Sequence, residues 1–428
     1  MGNADSSPSL STFPQPSPLG AHLPDELLLE ILSYLSPGRD FQSTLASFCL
    51  VCKQWYNVGI SLLYESPYLA GRSYDLFVQT ICPSINAHIL KSELAGLVKE
   101  LDLSHIVHQG NKAITARLLG RTKQSLEVFI APQASFAINC WAALSKCSKL
   151  RYLNLSLVSE CIAFQSLNQT VRQLPELTHL YLPRSSSSYN SLQISMNIKW
   201  PPKLKLLQLA GGVHGKFIWD LNAQPNNFPP TLTHLSISHC PHLEHWDIKS
   251  LLKNLSRLLH HLELRNLPQV KQGKLNGVLD WVPHLQSLII CTDYIDINFG
   301  SMPSGFNPSM WAQSKPLERL TLLTSGAHDP NDQNYFMPVD MWEMLEQRYL
   351  GRLRWVLVAK STQWPDGENG AELDALEGLL HEVDKENWER RRWHYEDLQV
   401  PSDWIYERWY ESPQGKRMRP GVRVLRDQ

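Results

Sequence analysis

Apolar residues in this chain follow two periods, one after the other. From Leu23 to Tyr64 they fall at helical spacing. Leu27, Leu28, Ile31, Leu32 and Leu35 make one run, opened by Leu23 and Pro24 and by Asp25 and Glu26, whose charges suit the positive end of a helix. Ser36, Pro37 and Gly38 stop it. The spacing predicts a second helix carrying Leu45, Phe48, Cys49, Cys52, Trp55 and Tyr56, and a short third run with Ile60, Leu63 and Tyr64. Leu29 and Tyr34 put apolar surface on further faces, more than one neighbour can cover. Three short helices in about forty residues lie near the lower limit for independent stability. Such a module is expected to bury its excess on a partner or on the rest of the chain.

From Val98 onward the pattern changes to a hexamer, aliphatic at positions one, four and six. It occurs at Leu150-Leu153-Leu155, Leu177-Leu180-Leu182, Leu204-Leu207-Leu209, Leu232-Leu235-Ile237, Leu259-Leu262-Leu264, Leu285-Leu288-Ile290 and Leu317-Leu320-Leu322. Weaker copies stand at Val98-Leu101-Leu103, Leu126-Phe129-Ala131 and Leu353-Val356-Val358. Between Leu150 and Leu285 the copies recur every 26 to 28 residues, the period of a leucine-rich repeat. Strand alternation turns the fourth and sixth residues inward and the third and fifth outward. No repeat can bury its own leucines, but a stack of parallel strands shares one core. The intervening returns look helical at Ala113 to Leu119, Phe136 to Leu144, Ile162 to Leu174 and Leu275 to Val282, and irregular at Gly211 to Pro230 and Thr292 to Ser314.

These patterns divide the chain as follows: a Ser- and Pro-rich tail over 1–20, expected to be disordered; the helical module, 21–66; a connector, 67–95, with one helix around Tyr74 to Cys82; a solenoid of about ten degenerate repeats, 96–360; and a carboxy-terminal helix with a Trp- and Arg-rich tail, 361–428. The fold class is α/β, a leucine-rich-repeat horseshoe with parallel strands on its concave face behind a three-helix module. In the last segment Leu373, Leu376, Leu380 and Val383 mark an amphipathic helix running into Trp388, and the repeat pattern is expected to end at Leu353.

The formal charge of −1 gives no global attraction to nucleic acid or to an anionic membrane, and no apolar run reaches membrane-spanning length. The eight cysteines, Cys49, Cys52, Cys82, Cys140, Cys147, Cys161, Cys240 and Cys291, are scattered and read as reduced, mostly buried thiols of a cytosolic or nuclear protein. Cys49 and Cys52 form a C-x-x-C inside a predicted helix, with packing as its role. Gly2 and Ser6 fit the N-myristoylation pattern, although two fixed positions match often by accident. His239, Cys240, His242, Glu244 and His245 are close enough together to suggest zinc, yet Cys240 falls where a repeat wants a small buried thiol, and the structural reading is preferred. The basic runs Arg390-Arg391-Arg392 and Lys416-Arg417-Met418-Arg419 have the composition of nuclear-import or phosphate-binding patches; interleaved acidic residues make a solvated or cap-covering tail the default for the first, and the second is a short, weak signal. Phosphate-loop, dinucleotide, nucleophile-elbow and zinc-protease templates are all missing, so no catalytic residue and no cofactor is expected.

The residues from Leu23 to Tyr64 resemble an F-box: the leading Leu23-Pro24, the Glu26-Leu27-Leu28-Leu29-Glu30-Ile31-Leu32 core, Leu50-Val51-Cys52-Lys53 followed by Trp55, and the closing Leu63-Tyr64. The resemblance, combined with the repeats, is to F-box/leucine-rich-repeat proteins. It implies a non-catalytic subunit that docks onto the Skp-type adaptor and cullin of a ubiquitin ligase and presents a target protein for ubiquitination. By position the adaptor contacts would be Leu23, Pro24, Leu28, Ile31, Leu32, Leu35, Val51, Cys52 and Trp55. For the target, the outward columns of the strands offer Tyr152, His179, Tyr181, His234, His261, Arg319 and Trp355, a face rich in aromatic contact area. A repeat scaffold outside any ubiquitin ligase is the alternative, and an unrecognised enzyme or metal protein centred on the histidine-rich repeat a third.

Overall fold

The computed structural model describes residues 23–35, 38–84, 92–106, 111–136, 138–160, 164–184, 198–224, 227–326, 334–365, 368–388 and 404–426. The chain divides into two compact units, Met1–Tyr68 and Leu69–Gln428. The myristoylation pattern at Gly2, the stop at Ser36-Pro37, Cys161 and the Arg390-Arg391-Arg392 run lie outside the described residues.

The first unit holds α1 (Asp25–Ser33), α2 (Arg39–Cys49) and α3 (Lys53–Glu65). Pro24 caps α1 at φ −54° and ψ 147°, and its carbonyl accepts from the Leu27 and Leu28 amides at 3.1 and 3.2 Å. The single second helix expected from spacing is in fact two. Cys52 is extended (φ −160°, ψ 172°) and caps α3, so the C-x-x-C pair straddles a corner instead of lying in one helix. Ile60, Leu63 and Tyr64 belong to α3. The corner lets Trp55 fold back on Phe48, ring centroids 4.4 Å apart. Leu28, Leu32, Leu45, Phe48 and Val58 form the core, with Leu23, Leu35, Phe41, Trp55, Leu62 and Leu63 packed against it. Gly59 sits where α3 touches α2: a Cβ there would lie 2.8 Å from Phe48 Cδ1 and 2.9 Å from Cys49 Sγ. Gln54 Nε2 donates to the Leu23 carbonyl and to Asp25 Oδ1, both at 2.7 Å, tying the start of α1 to α3.

In the second unit α4 (Arg72–Ile81) leads into one sheet of eleven parallel strands in sequence order. They are β1 (Glu100–Asp102), β2 (Val128–Ile130), β3 (Tyr152–Asn154), β4 (His179–Tyr181), β5 (Leu206–Leu209), β6 (His234–Ser238), β7 (His261–Arg265), β8 (Ser287–Cys291), β9 (Arg319–Leu323), β10 (Trp355–Ala359) and β11 (Gly421–Leu425). The first ten are the ten hexamers, weak copies included, and they pair in the register the hexamer implies. Leu101, Phe129, Leu153, Leu180, Leu207, Leu235, Leu262, Leu288, Leu320 and Val356 stack as one buried column. The expected leucine-rich-repeat-type solenoid is therefore the observed one.

The returns carry α5 (Lys112–Thr122), α6 (Ile138–Leu144), α7 (Phe164–Val171), α8 (Gly215–Asn222), α9 (His245–Asn254), α10 (Val278–Trp281) and α11 (Pro338–Glu346). The 211–230 return, expected to be irregular, holds α8. His214 caps that helix through Nδ1, and Phe217, Ile218 and Leu221 bury its inner face, which outweighs the Pro-rich end of the segment.

Sheet growth does not stop at Leu353 either. After α12 (Glu368–Glu386), α13 (Tyr406–Glu411) and α14 (Pro413–Arg417), the tail returns as β11, parallel to β10, with Trp355 opposite Gly421 and Val358 opposite Val424. The hexamer hides it because Arg419 takes the place of the leading leucine. Buried Arg354 pairs with buried Asp384 at 3.2 Å and donates to the Met418 carbonyl at 2.5 Å, fastening α12 and the tail to β10. Trp388 packs on Trp409, centroids 4.6 Å apart. Among the described residues no helix is long and apolar enough to cross a membrane.

Candidate functional site: two binding faces

The first face is the apolar surface that the three-helix unit fails to bury. Leu27, Leu29 and Ile31 are about half exposed (46%, 45% and 52%), and Tyr34, Leu50, Val51 and Tyr56 are open at 79%, 86%, 60% and 43%. Exposed apolar side chains this numerous on so small a unit make a candidate binding surface. Of the nine expected adaptor contacts, Pro24, Ile31, Val51 and Cys52 are exposed, and Leu23, Leu35 and Trp55 are half-buried against the core. Leu28 and Leu32 are corrected: at 0% and 3% exposure they are the core itself and cannot meet a partner. Their places on the surface are taken by Leu27, Leu29, Tyr34, Leu50 and Tyr56. The helix break after Cys49 throws Leu50 and Val51 outward, and no residue of the sequence signals it.

The second face is the solvent side of the sheet. Pairing registers place Tyr152, His179, Leu206, His234, His261, Ser287, Arg319 and Trp355 in one column across β3 to β10. Tyr152 lies 5.7 Å from His179 and 5.2 Å from Tyr181, ring to ring, and His234 stacks on His261 at 3.9 Å and 13°. All five are half-buried by their neighbours. Burial holds the imidazoles neutral: the His234 pKa falls to about 4, mainly by desolvation with His261 adding to it, and His179 and His261 are lowered for the same first reason. Tyr181 is pushed well up by burial. The Thr178 hydroxyl lies 2.9 Å from the Arg151 carbonyl and 2.8 Å from His179 Nδ1, which ties the imidazole to the start of its strand.

Arg319 and Trp355 lie apart from this zone, on β9 and β10. The exposed Arg319 guanidinium sits 5.2 Å over the Trp355 ring, and the Trp355 indole N–H donates to the Arg419 carbonyl at 2.9 Å. The tail thus covers one edge of the expected target face and fixes this tryptophan. On β6, Ser236 is 5% exposed, and its hydroxyl has no hydrogen-bond partner among the described residues. Cys240 in the histidine-rich repeat is fully buried, with Sγ 3.6 and 3.5 Å from the Leu209 and Ser238 carbonyls and its pKa pushed up to about 12 by burial, which gives the thiol a structural place.

Comparison with known proteins bears on the first unit most directly. The family model described as F-box-like matches residues 21–70. A Saccharomyces cerevisiae protein, "F-box protein YDR306C", is 34% identical over 58% of this chain and 49% of its own, so the chain spans about half that relative's length. "Protein pof5" of Schizosaccharomyces pombe is 28% identical over 66% of this chain and 78% of its own. A solved structure, of a TLR13–ssRNA13 complex, aligns over 61% of this chain and 41% of its own at 15% identity; its TM-score of 0.26 bears on neither fold nor function. A capped Leu23-Pro24 start, a corner after Cys49 and a match over residues 21–70 together make the amino-terminal module an F-box-like domain.

Proposed function

We propose that this chain is the target-recognition subunit of a Skp-cullin-F-box ubiquitin ligase. The helical module holds the Skp-type adaptor, and the sheet holds a protein to be ubiquitinated. The observation that carries the reading is the set of exposed apolar residues, Leu27, Leu29, Ile31, Tyr34, Leu50, Val51 and Tyr56, on a unit that matches the F-box model. Burying them on a second protein removes apolar surface from water at about 25 cal/mol per Å². The chain itself needs no chemistry: tethering a target beside a charged conjugating enzyme raises the effective concentration of its lysines. Contact with the target falls to Tyr152, His179, Tyr181, His234 and His261, with Arg319 and the tail-held Trp355 at one end.

The test is capture of a purified Skp-type adaptor by the intact chain. Ile31→Asp with Val51→Asp places two charges on the exposed face and is expected to abolish capture while the sheet melts as before. Undiminished capture would reject the assignment of this face, and no capture by the unaltered chain would favour a scaffold outside the ligase. For the target face, Tyr181→Ala or His234→Ala is expected to weaken binding of a target while adaptor capture persists.

A further inference from the structure

Charge is unevenly spread along the solvent side of the sheet. In the outward columns β1 contributes Glu100 and Asp102, the middle strands contribute tyrosines and histidines, and the far end contributes Arg319 on β9 and Arg423 on β11. With a formal charge of −1 for the whole chain, this cationic end is a local feature. It borders a groove of about 630 Å³. Ile289, Leu323 and Leu425 give the groove half-buried apolar surface, and Arg265 and Arg426 stand at its edges. Glu263, which also lines it, is neutralised by an ion pair with Arg265, and Asp293 nearby is engaged by the Ser325 amide and the Thr324 hydroxyl. The lining residues run from β7 to β11. Four strand spacings of ~4.8 Å make ~19 Å, the span of about six extended residues at ~3.3 Å each.

We propose that this groove receives an extended acidic segment of the target, its apolar side chains on Ile289, Leu323 and Leu425 and its carboxylates toward Arg319, Arg423 and Arg426. The inference rests on the target-recognition reading above and names the chemistry of what is recognised. Apolar contacts fix the segment, and the cationic rim selects the sign of its charge.

The probe is a fluorescein-labelled peptide in which Asp and Leu alternate between Gly-Ser flanks, compared with its Lys-and-Leu counterpart by fluorescence anisotropy on the intact chain. The acidic peptide is expected to bind and the basic one not. Arg423→Glu with Arg426→Glu is expected to weaken the acidic peptide by about tenfold or more, and added salt to weaken it further, since these charges are exposed and screened. Lys249→Glu with Lys253→Glu, on α9, is the control and is expected to change nothing. Equal binding of both peptides, or an acidic peptide indifferent to the Arg423 and Arg426 reversal, would overturn the proposal. If that double variant melts earlier than the parent, Arg426→Gln alone, at an exposed position, reads the same effect. Adaptor capture is measured on the same preparations. Intact capture without acidic-peptide binding rejects the groove alone, whereas failed capture by the unaltered chain rejects the ligase reading beneath it.

Discussion

Leu28 and Ile31 lie one turn apart on α1, and truncating each to Ala separates fold from partner binding. Leu28 is 0% exposed at the centre of the three-helix core. Its truncation removes a buried isobutyl group and leaves a cavity, for about 2–5 kcal/mol. A unit this small has little stability to lose, so Leu28→Ala should unfold the module at ordinary temperature and remove adaptor binding with it. Ile31 is 52% exposed. Only about half of the ~1.5–3 kcal/mol that full burial of such a side chain contributes is present in the free chain, so Ile31→Ala should cost at most about 1.5 kcal/mol of stability. The other half is gained only when a partner covers it, and truncation there should weaken the complex by about 1–2 kcal/mol, roughly 5- to 30-fold in Kd. Amide-exchange protection of α1 to α3 across a urea series reads the first quantity, and calorimetric titration with a Skp-type adaptor reads the second. An Ile31→Ala chain that binds as tightly as the parent, or one that unfolds as readily as Leu28→Ala, would refute the division of α1 into a core face and a docking face.

Other outcomes follow from single contacts. Gly59→Ala pushes a methyl to 2.8 Å from Phe48 Cδ1; overpacking costs about 1–3 kcal/mol and the better helix propensity returns about 1, so the module should lose stability on denaturation. Asp384→Ala removes the carboxylate counter-charge of the buried Arg354 guanidinium and should destabilise the carboxy-terminal end of the sheet by about 3–5 kcal/mol, seen as loss of amide-exchange protection in β10 and β11. His234 is depressed from 6.5 to about 4 in the folded chain, so the unfolded chain takes up the proton first as pH falls. Its contribution to stability should be whole above about pH 6.5 and decline toward pH 4, and His234→Gln should flatten that part of the stability–pH curve.

The solenoid was legible in the sequence because one physical rule repeats in it. A parallel strand buried on one face needs aliphatic residues at alternate places, and ten hexamers wrote that need in the same register. Even Leu126-Phe129-Ala131, with one leucine, pairs where the rule puts it. The rule failed at β11, which among the described residues is an edge strand with no neighbour beyond it to bury its inner face. Val424 is 52% exposed there, so the sequence was free to place Arg419 where a leucine would stand. In the helical module the apolar period located α1 well but could not say which apolar residues face inward. Leu28 and Ile31 are equally greasy on paper, and the choice between them was made by the corner at Leu50 to Cys52, which sets how α3 packs. That corner carries no Pro or Gly, and its residues continue a helical spacing, so periodicity ran straight through it.

For the account as a whole, the decisive measurement is co-purification of the intact chain with a Skp-type adaptor and cullin, set beside a chain lacking residues 21–70. The intact chain should carry both subunits through size exclusion in a stoichiometric complex, and the shortened chain should keep its sheet and carry neither. An intact, folded chain that elutes alone, or a shortened chain that still retains the adaptor, would contradict it.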